Sequence, residues 1–195
     1  MLEDYCVIDL EMTGLNPKHH KILEVAAVRV RKKEIVSECS MLIRQHQLLE
    51  EKITELTGID QEMLAGAKEE DEVLDHFFGF LGEDILVGQN VIFDYSFLKQ
   101  AAINRKMSFE RKAADTLKIA RRCLPALEKR TLDALCGYYG IEIGHHHRAL
   151  DDAKATYLLY ERLEKEFGAV QADVFEPKPL IYLSLIHISE PTRRT

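Results

Sequence analysis

Apolar and polar positions follow two different periods along the chain. Residues 5–10 (Tyr-Cys-Val-Ile-Asp-Leu) are a short apolar run ending in an acid, which predicts a buried strand. The runs 22–30 and 34–43 are rich in β-branched residues and flank Arg31-Lys32-Lys33. They predict a hairpin, although its turn lacks the Asn-Gly chemistry that favours tight reversals. The period then lengthens. Val73, Leu74, Phe77, Phe78 and Leu81 fall at helical spacing behind an acidic first turn, predicting a helix over 69–81. Residues 84–88 read as another strand, and helical patterns follow at about 93–104, 115–123 (Asp115 as N-cap), 131–139 and 148–167. Three strands, then a strand interleaved with helices, predict an α/β domain whose mixed central sheet is flanked by helices.

Composition narrows the class. The 195 residues suit one compact domain, and a hydrophobic fraction of 46% is far too high for a disordered chain. No uninterrupted apolar stretch approaches the ~18 residues of a spanning helix, and Met1 does not open a signal peptide. Cys6, Cys39, Cys123 and Cys136 show no C-x-x-C spacing, so neither a zinc site nor a disulfide framework is expected. A soluble, cytoplasmic protein with reduced thiols is the expectation, with no membrane partner. The net charge of −7 argues against a protein that grips nucleic acid by bulk charge. That charge is unevenly spread: residues 50–84 hold 12 acids and 2 lysines, whereas residues 99–130 hold 10 basic residues against 3 acids. The basic run reads equally well as a solvated helical surface or as a strand-binding face.

The C-terminal end stands apart. Glu-Pro-Lys-Pro at 176–179 is the one linker-like piece, so a domain over 1–175 is expected, with 176–182 the start of a linker or a truncated C-terminal segment. Residues 183–193 (Leu-Ser-Leu-Ile-His-Ile-Ser-Glu-Pro-Thr-Arg) resemble the in-frame translation of a sequencing-library adapter. Residues 183–195 are therefore excluded from fold reasoning, and the natural chain is expected to continue differently after about Tyr182.

Three acidic constellations carry candidate chemistry. Asp9-x-Glu11-x-Thr13-Gly14 ends the first strand, where alternation puts both carboxylates on one face. Thr13-Gly14 then turns the chain, so backbone N–H groups can approach a ligand. Paired carboxylates repel unless a cation or a shared proton relieves them. The second is Gly88-Gln89-Asn90-Val91-Ile92-Phe93-Asp94, entering a helix that Asn90 could cap, with Asp94 about one turn in. The third is His147-Arg148-Ala149-Leu150-Asp151-Asp152-Ala153, at the start of the last long helix. There Asp152 is taken as the inward acid and Asp151 as a solvated neighbour. Hard oxygen ligands of this kind suit Mg²⁺ or Mn²⁺, and a histidine beside them suits a general base.

In these motifs the sequence resembles the DEDDh 3′–5′ exonucleases, which include the proofreading subunits and domains of bacterial DNA polymerase III. The resemblance covers roughly residues 4–167 and includes Ile-Thr-Glu-Leu-Thr-Gly-Ile (53–59) and Asp-Thr-Leu-Lys-Ile-Ala-Arg (115–121). Gln89 stands where histidine is common and Met12 where threonine often occurs; neither change removes a ligand. The resemblance implies a ribonuclease H-like fold and hydrolysis assisted by two Mg²⁺ or Mn²⁺ ions. It makes Asp9, Glu11, Asp94 and Asp152 the metal ligands and His147 the base that takes a proton from the attacking water. Thr13, Gly14, Leu15, Asn90 and Phe93 would hold the terminal nucleotide, although for Leu15 and Phe93 a plain core role is as good a reading. The expected substrates are 3′ ends of single-stranded DNA, released as nucleoside 5′-monophosphates, with a polymerase subunit as a possible partner. An RNA-directed enzyme is the alternative, since Asp-Leu-Glu-Met-Thr-Gly-Leu also resembles oligoribonucleases. A non-catalytic nucleic-acid or polymerase-binding module is the alternative of another class. Four carboxylates scattered in the fold would favour it, and their convergence around a space for two ions would argue against it.

Overall fold

β1 (Tyr5–Met12), β2 (Ile22–Arg31) and β3 (Glu34–Leu42) form the antiparallel meander that the β-branched runs predict. In this computed structural model, which describes residues 2–144 and 148–182, the reversal after β2 is made without asparagine or glycine. Lys32 and Lys33 both adopt left-handed φ values, 52° and 67°. Tertiary bonds hold them there: the Lys32 N–H donates to Asp4 Oδ1 (3.0 Å) and the Lys33 N–H to the Glu3 carbonyl (3.1 Å). The chain then crosses through α1 (Glu51–Thr57), α2 (Gln61–Ala65) and α3 (Glu70–Leu81) to β4 (Leu86–Gly88). β4 lies parallel to β1, and β5 (Lys112–Asp115) lies parallel to β4 beyond α4 (Ile92–Asn104). After β5 come α5 (Thr116–Cys123), α6 (Leu132–Tyr139), α7 (Ala149–Phe167) and α8 (Ala172–Phe175).

Residues 176–182, read in the sequence as the start of a linker or a truncated C-terminal segment, lie against the sheet. Lys178–Pro179 forms β6 antiparallel to β5, the Leu180 N–H donates to the Arg111 carbonyl (2.9 Å), and Leu180 and Tyr182 pack on the core. Pro179 is tolerated there because β6 is an edge strand. The sheet order is β3-β2-β1-β4-β5-β6, mixed as predicted.

Side-chain alternation along β1 separates two cores. Cys6, Ile8 and Leu10 face α3 and α4, packing with Phe77, Leu81, Tyr95 and Leu98. Tyr5 and Val7 face the other way, onto α5 and α7, with Ile119, Leu159, Tyr160 and Leu163. The same alternation carries Asp9 and Glu11 onto the α7 side, at the C-terminal end of β1. All four cysteines are buried free thiols. Among the described residues no helix is long and apolar enough to cross a membrane.

Candidate active site

Asp9 and Glu11 on β1 and Asp152 on α7 converge: one carboxylate oxygen from each lies within 4.8 Å of the others. Asp94 approaches from the opposite side, in the first turn of α4, buried to 6% exposure. Its Oδ1 accepts the Leu10 N–H at 3.0 Å, so the residue between the two β1 acids anchors the third carboxylate directly. Asp94 is outside the tight group of three, yet its charge is the strongest of those acting on Asp9.

The electrostatics follow from that crowding. Burial, then the charges of Asp94, Asp152, Glu11 and Glu24, hold the Asp9 carboxyl well above the usual carboxylate range. Burial, then Asp152, Glu24 and Asp94, push Glu11 up to about 8, against the opposing charge of Arg148. Burial raises Asp94 to about 7, with Asp115 adding repulsion and the N–H groups of Asp94 and Leu10 opposing it. Such a group is unstable as four anions, and hard divalent cations relieve it; the all-oxygen donor set fits them.

The folded chain retains protons on Glu11 and Asp94 that the unfolded chain releases near pH 4, so in this window the native state binds more protons. Stability of the metal-free protein therefore falls as pH rises from about 5 to about 8. In EDTA, the drop in Tm between pH 5.5 and pH 8.5 is expected to be larger for the native chain than for Glu11→Gln. Equal drops would contradict the assignment.

The remaining expected residues are placed as follows. The Thr13 N–H donates to the Lys21 carbonyl and its Oγ1 accepts the Lys21 N–H, both at 2.9 Å. Thr13 therefore closes the β1–β2 loop, and its N–H is not the free ligand donor that the sequence allowed. A Cβ at Gly14 would lie 2.3 Å from the His20 ring, so a larger residue there would force that ring to move. Leu15 is 59% exposed, which removes the core reading for it, and Phe93 is half-buried. Asn90 is not the helix cap; Val91 occupies that position without a side-chain bond. Asn90 instead sits in the left-handed region at φ 59°, its N–H donating to Asp115 Oδ1 at 3.0 Å. Asp115 does cap α5 as expected, accepting from the Leu117 and Lys118 N–H groups. His147 lies outside the described residues, as do residues 183–195.

The sequence reading missed Glu24. It sits opposite Glu11 in the β1–β2 register, 1% exposed, and receives Arg148 Nε (3.2 Å), Arg148 Nη2 (2.9 Å), the Ala149 N–H (3.2 Å) and Ser40 Oγ (3.1 Å). This carboxylate ties the first residue of α7 to the sheet beside the acids. The signal was visible: Glu24 is a lone acid inside the apolar run Ile-Leu-Glu-Val-Ala-Ala-Val, where an unpaired charge is untenable.

The family model for exonucleases, RNase_T, matches residues 6–160. The chain belongs to the exonuclease family. Within that family it is 39% identical to the PolC-type DNA polymerase III of Clostridium perfringens over 192 residues, covering 96% of this chain and 13% of the polymerase. The chain thus spans about an eighth of the length of that relative. Among solved structures it resembles exonuclease X in complex with 5′-overhanging duplex DNA (TM-score 0.70, 27% identity, covering 88% of this chain and 99% of that one). The fold is shared with E. coli exonuclease I in complex with a dT13 oligonucleotide (TM-score 0.76, 17% identity, covering 89% of this chain and 44% of that one).

Proposed function

We propose that this exonuclease removes nucleotides from 3′ ends of single-stranded DNA, with Asp9, Glu11, Asp94 and Asp152 holding two divalent cations, Mg²⁺ or Mn²⁺. The observation that carries this reading is the convergence of Asp9, Glu11 and Asp152 oxygens within 4.8 Å, with Asp94 pinned beside them through Leu10. Scattered carboxylates would have favoured a non-catalytic module. When bound, the cations neutralise the reacting phosphate and acidify the attacking water.

The chain's own groups do the rest. Asp94 is held by the Leu10 N–H, and Asp152 is held through the first turn of α7, which Glu24 fixes by the Ala149 N–H and Arg148. His147, one residue before Arg148, takes the proton of the attacking water on a ring nitrogen. Exposed Leu15 offers an apolar surface to the terminal base, and Thr13, Gly14, Asn90 and Phe93 shape the surrounding pocket. Similarity to PolC-type polymerases supports a proofreading role beside a polymerase active site.

With Mg²⁺ present, a 5′-labelled oligodeoxynucleotide is expected to shorten in single-nucleotide steps, and excess EDTA to stop the ladder. Folded protein that gives no ladder with either cation would overturn the reading. Faster digestion of the matched RNA strand would move the substrate to RNA.

A further inference from the structure

The basic run at 99–130 reads two ways in the sequence, and the fold divides it. Lys99 pairs with Glu110, Arg105 with Asp71 and Asp75, and Arg111 with Glu83. Those charges are spent on structure. Arg130 is spent too, its guanidinium bonding the Leu124 and Pro125 carbonyls at the end of α5. Six are left, Lys106, Lys112, Lys118, Arg121, Arg122 and Lys129, all exposed and with no carboxylate bridging them among the described residues; the last four lie together on α5 and the loop that follows it. Residues 118, 121 and 122 fall at i, i+3 and i+4 on α5, so they share one face, while Ile119, Ala120 and Cys123 bury the other. Residues 116–131 carry five basic residues and one acid, Glu128, in a chain that is net −7.

The stripe is stitched to the active-site corner at both ends. At the start of α5, Asp115 caps the helix and accepts the Asn90 N–H, so Lys118 lies one turn from the segment that presents Asp94. At the far end of the loop, the Arg130 carbonyl accepts Gln89 Nε2 at 2.8 Å, returning Lys129 to the same corner. Gln89 also receives the Thr116 hydroxyl, tying strand end, helix start and loop together. A regularly spaced cationic face continuous with a phosphodiester-cleaving site complements a polyanion.

We propose that Lys118, Arg121, Arg122 and Lys129 bind the sugar–phosphate backbone of the single DNA strand upstream of the terminal nucleotide. This rests on the exonuclease reading above and deepens it, because the terminal pocket selects the end and the stripe supplies length-dependent grip. Contacts to phosphate carry no sequence information, so the grip is sequence-tolerant.

The test compares the full chain with the triple variant K118Q/R121Q/R122Q, each in an Asp9→Asn background for binding and without it for kinetics. By fluorescence anisotropy with (dT)20, the variant is expected to bind about tenfold or more weakly at low salt. Its log–log salt slope should be shallower by roughly 2, three lost contacts at about 0.7 each. In kinetics, the advantage in kcat/KM of (dT)20 over (dT)2 should shrink at least tenfold. Unchanged affinity and slope would overturn the proposal and leave the stripe a solvated surface, as would a loss seen only with (rU)20. The anisotropy arm needs no turnover. An inactive native chain would therefore refute the exonuclease reading while the stripe is still judged by binding.

Discussion

Asp9→Asn is expected to lower the rate of 3′-end hydrolysis by at least about a thousandfold, a transition-state loss of roughly 4 kcal/mol, while the metal-free protein becomes more stable. The two effects have one cause. Asp9 is the carboxylate on which burial and the charges of Asp94, Asp152, Glu11 and Glu24 all press in the same direction. Its ionised form is what a cation requires, and it is the form that burial and the surrounding carboxylates disfavour. The amide keeps the shape and removes the charge. Relief of about 1 kcal/mol or more then raises Tm by roughly 2–4 °C in a domain of this size. Differential scanning fluorimetry in EDTA, beside a ladder assay with Mg²⁺, checks both arms. The stabilisation by added Mg²⁺ should shrink in the variant, because one ligand to the site is gone. A variant that loses activity and also melts lower would identify Asp9 as a structural acid, and one that keeps its activity would remove it from the site.

Asp9 and Glu11 were readable because strand alternation alone fixes their common face, and α3, α5, α6 and α7 because apolar spacing and, for α5, the Asp115 cap are local signals. β5 was missed because Lys-Ala-Ala-Asp has no β-branched residue. Its pairing with β4 on one side and β6 on the other makes it a strand. Asn90 was misread because a polar residue before a helix defaults to a cap. Here an acid 25 residues away in sequence draws its backbone N–H into a different conformation. The Lys32-Lys33 turn likewise takes left-handed angles that its own residues do not favour, secured by Glu3 and Asp4. In each case the decisive partner is distant in the chain, and single-sequence patterns carry no such term. The charge stripe is the same lesson in another form, since only pairing in space separates spent cations from free ones.

Arg148→Met should destabilise the protein by about 2–3 kcal/mol, and pairing it with Glu24→Gln should restore most of that loss. Glu24 is 1% exposed and receives four bonds, two of them from Arg148. Removing the guanidinium leaves the carboxylate with only the Ser40 hydroxyl and the Ala149 N–H, beside a cluster of like charge. A buried anion stripped of its cation is worse than no anion, and the guanidinium's own partial exposure keeps the cost below that of a fully buried pair. At roughly 2–4 °C per kcal/mol, the single variant should melt about 4–12 °C lower. Glu24→Gln alone should cost less, because Arg148 can turn to water and the amide oxygen can still accept the Ala149 N–H. The four melting temperatures form a double-mutant cycle with a coupling above about 1 kcal/mol. Additive losses would show that the pair contributes no coupling, and the fixing of α7 beside Asp9 and Glu11 would then have to come from its apolar face, Ala149, Ala153 and Leu159, against the sheet.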